Sequence, residues 1–177
     1  MMKFLSTILL LLGLGATLSL KSQESLMIHW PEEYQWKVLN NQENQQNHLL
    51  ELIPGNETAE DWTILGFMMS LKGITEASLD QLQAAYHQSA TEYNENAKLT
   101  LLERNEEDEF PWILFKIENE YFDEFKHNES QLWFIRIGNT STYSNFVAIK
   151  EIELEEAFII KWSAIFKASQ IVDLSEE

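Results

Sequence analysis

Residues 111–150 hold three apolar, aromatic-rich runs (112–117, 132–137 and 146–149) separated by segments carrying Asn, Ser, Gly, Asp and Glu. Successive side chains of a strand point to opposite faces, so Ile113, Phe115 and Ile117 should oppose Trp112, Leu114 and Lys116. Trp133, Ile135 and Ile137 should likewise oppose Leu132, Phe134 and Arg136. Strands this close in sequence predict an antiparallel meander. Residues 121–128 read as a connection that folds Phe122 and Phe125 back onto the body, and 138–142 as the second turn.

Upstream, residues 24–30 form a lead-in or edge strand ending at Pro31, and 34–39 alternate with Tyr34, Trp36 and Val38 on one side. The polar tract 40–47 suits a turn, which makes 34–39 and 48–53 a hairpin closed by Pro54-Gly55. Residues 62–71 are apolar on both parities and interrupted by Gly66. Such a run predicts a strand covered on both faces at the centre of the sheet, its glycine permitting a bend or close packing.

At 75–97 the period changes to three and four, through Leu79, Leu82, Tyr86, Ser89 or Ala90, Tyr93 and Ala97. This is an amphipathic helix, with Ser78 and Gln81 as a capping box and Thr75 as the alternative cap. Residues 98–104 return to a strand, and 105–109 form an acidic turn. A second helix is expected over 154–168, with glutamates at its start and lysines later, as the helix dipole favours; 173–177 should fray. The fold class is α+β: an antiparallel sheet of about six to seven strands with two main helices packed on it.

Composition adds a leader and a charge. Residues 1–22 carry one Lys, then an apolar run and small residues, the layout of a signal peptide processed between Ala16 and Gln23; the alternative is an uncleaved anchor. Residues 23–177 then form a single domain. The formal charge of −17 becomes −19 when Lys3 and Lys21 leave, so nucleic acid and anionic lipid are poor partners. There is no cysteine, hence no disulfide, thiolate metal site or lipid-bearing Cys, and a bacterial export route fits better than a eukaryotic one. Sequons at Asn56, Asn128 and Asn139 read as chance in so Asn-rich a chain.

Chemical signals are sparse. The four histidines share no metal-ligand spacing, and there is no HExxH, no G-x-S-x-G elbow, no Walker box and no dinucleotide fingerprint. We therefore expect no catalytic residues, no metal ligands and no cofactor. The acidic run 106–109 lacks the spacing of a calcium loop and reads as a solvated turn, with divalent-cation binding as an alternative. Glu103, Glu118 and Glu129 lie on or beside apolar strands, with Lys116 and Arg136 as possible partners; an Arg beside a carboxylate in a cleft could orient an anionic ligand. The six tryptophans should be mostly core, but several on one open face would make a ligand platform. The candidate ligand-binding residues are Trp62, Trp112, Glu118, Trp133 and Arg136.

The segments IPGNETAEDW (53–62), PWILFKIEN (111–119), ESQLWFIRIG (129–138) and STYSNFVAIK (141–150) resemble those of uncharacterised exported bacterial proteins. In these a P-G-x-E-T-x-x-x-W-T segment precedes a helix and an aromatic meander. The element order is also similar to the PsbP/Mog1-like layered fold. The resemblance implies a binding or accessory role and supplies no catalytic residues. The expectation is thus a secreted or periplasmic protein binding a protein or small molecule, with a carboxylate-dependent hydrolase using Glu103 and Glu118 as the alternative.

Overall fold

The computed structural model describes residues 24–119 and 127–174. The strands are β1 (Glu24–Met27), β2 (Lys37–Glu43), β3 (Asn47–Ile53), β4 (Ile64–Lys72), β5 (Lys98–Asn105), β6 (Trp112–Glu118), β7 (Ser130–Ile137), β8 (Ser141–Ile149) and β9 (Gln170–Asp173). The helices are α1 (Leu79–Tyr93) and α2 (Glu156–Lys167), with a 3-10 turn at Glu32–Tyr34. Seven strands form one antiparallel sheet in the order β2-β3-β4-β8-β7-β6-β5, while β1 and β9 pair separately. Chain order explains the arrangement: β2-β3-β4 and β5-β6-β7-β8 are two meanders, α1 carries the chain between them, and β8 closes on β4.

The expected alternation in β6 and β7 builds the two cores. Ile113, Phe115, Ile117, Trp133 and Ile135 pack with Leu82, Tyr86 and Ala90 of α1. Trp112, Leu114, Leu132 and Phe134 pack with Trp162 and Phe166 of α2 and with Leu26 of β1. The architecture is α+β in three layers, with one helix on each sheet face. Helix α1 begins with the capping box: Ser78 Oγ accepts from Gln81 N at 3.2 Å, and Gln81 Oε1 accepts from Ser78 N at 2.9 Å.

Four boundaries differ from the sequence reading. Residues Asn40–Glu43 continue β2 instead of turning, because an edge strand needs only backbone bonds on one side and tolerates exposed Asn and Gln. The period-two residues Tyr34 and Trp36 precede that strand, around the 3-10 turn. Strand β8 begins at Ser141, and it rather than β4 is the middle of the seven. Two of its buried polar side chains find partners: Thr142 Oγ1 donates to Ile74 O at 2.5 Å and Asn145 Nδ2 to Phe134 O at 3.4 Å. Finally, Asp173 pairs with Glu24 in the β1-β9 ribbon instead of fraying. The fold-back of Phe122 and Phe125 lies outside the described residues, as does the leader.

Both edge strands contain a break in register, between Val38 and Asn40 in β2 and between Leu101 and Glu103 in β5. The turn from β7 to β8 is fastened to the start of the described chain. The Glu24 carboxylate accepts from the backbone N–H of Asn139 (3.2 Å), Thr140 (2.9 Å) and Ser141 (3.2 Å), and from the Tyr143 hydroxyl at 3.4 Å. A side chain at Gly138 would run into that carboxylate.

Candidate functional site

The sheet divides the five candidate residues between its faces. Trp133 lies on the α1 face, 1% exposed, with Tyr86 at 4.4 Å and Phe146 at 4.5 Å between ring centroids. Its indole N–H donates to Gln131 Oε1 at 2.8 Å, and Gln131 Nε2 donates to Glu129 Oε1 at 2.7 Å. Trp62 belongs to the same core, with His127 edge-on at 5.7 Å and the Lys150 ammonium 4.7 Å from its ring centroid. Trp112, Arg136 and Glu118 face α2. Trp62, Trp112 and Trp133 are all buried, so they form no shared open face.

Glu118 has a local architectural role. Its Oε1 accepts from Lys116 Nζ at 2.6 Å and from Leu154 N at 2.9 Å, tying the approach to α2 onto β6. Glu103 is exposed and paired with Lys167 at 2.8 Å. Glu103 sits opposite Leu114, four residues from Glu118 along β6, or roughly 13 Å of strand. Carboxylates that share a scissile bond stand about 5–9.5 Å apart. In the acidic run, Glu106 pairs with Arg104 at 3.2 Å, while Asp108 caps its own loop.

Two other carboxylates are buried on the α1 face. Burial pushes Glu129 above the usual carboxylate range, opposed by the bond from Gln131 and by the charges of His127 and Lys150. Burial also raises Glu51, opposed by the Asn40 amide at 3.1 Å and reinforced by the charge of Glu129. Neither bonds a cation among the described residues. Each is held by a side-chain amide, an arrangement that also suits the protonated acid.

Arg136 and Trp112 do come together, as direct partners across the β6-β7 pair, with Tyr143 opposite Arg136 on β8. Arg136 is 7% exposed and, among the described residues, makes one hydrogen bond, from Nη1 to Ser169 O at 2.7 Å. Its guanidinium carbon lies 5.4 Å from the Phe134 ring centroid, and its Nε has no partner. Burial holds its pKa below the ordinary arginine value, against the pull of Asp108. Both Asp108 oxygens are engaged, Oδ1 by Phe110 N and Oδ2 by the Trp112 indole N–H, each at 3.1–3.2 Å.

Sequence reasoning missed an aromatic cluster in which half-buried rings gather on the fully buried Trp162. Trp30, Tyr34, Trp36 and Trp162 meet with ring centroids 4.9–6.2 Å apart, although the last is over 120 residues from the others. Lys161, paired with Glu33 at 2.8 Å, lies 4.8 Å from the Tyr34 ring centroid. The indole nitrogens of Trp30, Trp36 and Trp162 have no conventional acceptor, and the steep angles between the Trp30, Trp36 and Trp162 rings suit N–H contacts to aromatic faces. The run 28–36 is visibly aromatic, but nothing local in it points to Trp162.

Among the described residues no group of three His, Asp or Glu side chains is placed to hold a metal, and no helix is long and apolar enough to cross a membrane. No protein-family model matches the chain, and no curated protein sequence matches it.

Proposed function

We propose that the chain is an exported binding or accessory module, secreted or periplasmic, that catalyses no reaction and recognises a protein or small molecule. Its layering, one helix on each face of an antiparallel sheet, is compatible with the PsbP/Mog1-like arrangement that the element order suggests. The observation that carries the reading is the state of the two strand carboxylates best suited to hydrolysis. Glu103 and Glu118 stand far apart along the β5-β6 pair, and each is committed to a lysine. The charge of −17 disfavours nucleic acid and anionic lipid as the partner.

Fractionation of bacteria expressing the full chain tests the export half. The expected product is found outside the cytoplasm and begins between residues 17 and 23; an unprocessed cytoplasmic chain contradicts it. Chromogenic esters, glycosides and amides test the other half. Turnover that disappears in both Glu103→Gln and Glu118→Gln would establish the hydrolase instead.

A further inference from the structure

A buried charge is tolerated when it is paired and hydrogen-bonded, and otherwise its desolvation weighs against the fold. Arg136 meets this requirement incompletely. Of five N–H groups on a guanidinium, one is bonded among the described residues, to the Ser169 carbonyl. No carboxylate among the described residues bonds it, and the acid whose field it feels, Asp108, spends its oxygens on Phe110 N and the Trp112 indole. Asp108 thus holds the wall of the site rather than its cation. The unpartnered Nε belongs to a side chain more than nine-tenths buried, between Trp112 on one neighbouring strand and Tyr143 on the other.

We propose that Arg136 is the anchor of a binding site for a small oxyanion, a carboxylate or phosphate group, with Trp112 and Tyr143 as its aromatic flanks. The planar fork of guanidinium matches two oxygens of such a group, and the low-dielectric surroundings strengthen each bond. Lysine could not substitute, since a point charge does not present the fork. The site names a ligand class for the binding module proposed above, but it stands on Arg136 alone, so the export and turnover assays can fail without touching it.

The chain has only two arginines, Arg104 and Arg136, which makes the test direct. Arginine Nε–H resonances of the folded full-length chain are followed by nitrogen-15 correlation spectra during titration with acetate, inorganic phosphate and, as a control, chloride at constant ionic strength. Arg104→Lys assigns the two signals. The proposal expects a saturable shift of the Arg136 signal with acetate or phosphate, the stronger arm identifying the group, and no saturable shift with chloride. A melting temperature raised by about 3–6 °C at tenfold the dissociation constant should accompany it in wild type and be lost in Arg136→Gln. Asp108→Asn, which removes a repelling charge, should tighten binding. If neither anion moves the Arg136 signal, if chloride moves it equally, or if Arg136→Gln keeps the thermal shift, the proposal is overturned. Should Arg136→Gln fail to fold, the wild-type titration and Asp108→Asn decide the matter.

Discussion

The six-membered ring of the Trp30 indole rests on the bare α-carbon of Gly66: a β-carbon built there would come within 2.6 Å of Trp30 Cζ3. The glycine in the middle of β4 is therefore a seat for an aromatic ring from the segment before β2, the close-packing alternative that an apolar strand broken by glycine allows. Gly66→Ala should destabilise the fold by about 1–3 kcal/mol, as overpacking does. Trp30→Leu should also destabilise, and the double variant should lose less than the sum. Thermal melts of the four proteins measure the coupling; strict additivity would show that the ring does not need the space.

Glu24 holds the β7-β8 turn through three backbone N–H groups. Glu24→Ala leaves those donors without their charged acceptor and should cost about 1–3 kcal/mol in chemical denaturation. Hydrogen exchange at residues 139–141 should accelerate more than at β6. Unchanged protection in the turn would mean that water replaces the carboxylate without loss.

At the start of α1, Ser78→Ala removes the acceptor for Gln81 N and should cost about 1 kcal/mol, and Ser78→Asp should restore most of it. Melting temperatures of the two variants suffice to check this. Equal losses would assign the serine a role other than capping.

The buried carboxylates give a pH dependence opposite to that of paired surface acids. Folding raises the pKa of Glu129 and of Glu51, so between the unfolded and folded values the native state binds more protons. Their contribution is therefore fully present below the unfolded value and is lost as pH rises through the folded one. Glu129→Gln, which keeps an oxygen for Gln131, should raise stability at pH 7 more than at pH 4 and flatten the curve between. Denaturation across that range reads the effect, and a variant parallel to wild type would show that Glu129 titrates alike in both states.

The meander was legible because three apolar, aromatic-rich runs lie close in sequence with polar segments between them, which favours antiparallel neighbours. Helix α1 was legible through its Ser78 cap and its stripe. Strand β2 was legible in its hairpin with β3 but not in its polar half, since an edge strand is stabilised by its backbone and Asn40, Asn41 and Gln42 carry no period. The polar half of β8 resembled a turn until the partners of Thr142 and Asn145 were in place. Arg136 and Trp112 were named as separate candidates and became neighbours only through the observed β6-β7 register, while the encounter of Trp30, Trp36 and Trp162 depends on where α2 lands, which local pattern does not encode.

The stepped margins of the large sheet have a bearing on behaviour in concentrated solution. A second molecule aligned with β2 or β5 meets amides and carbonyls that fall out of phase at Leu39 or Leu102, so its own ladder cannot run on. Growth by lateral accretion is thereby interrupted at each flank, and the sheet ends at seven strands.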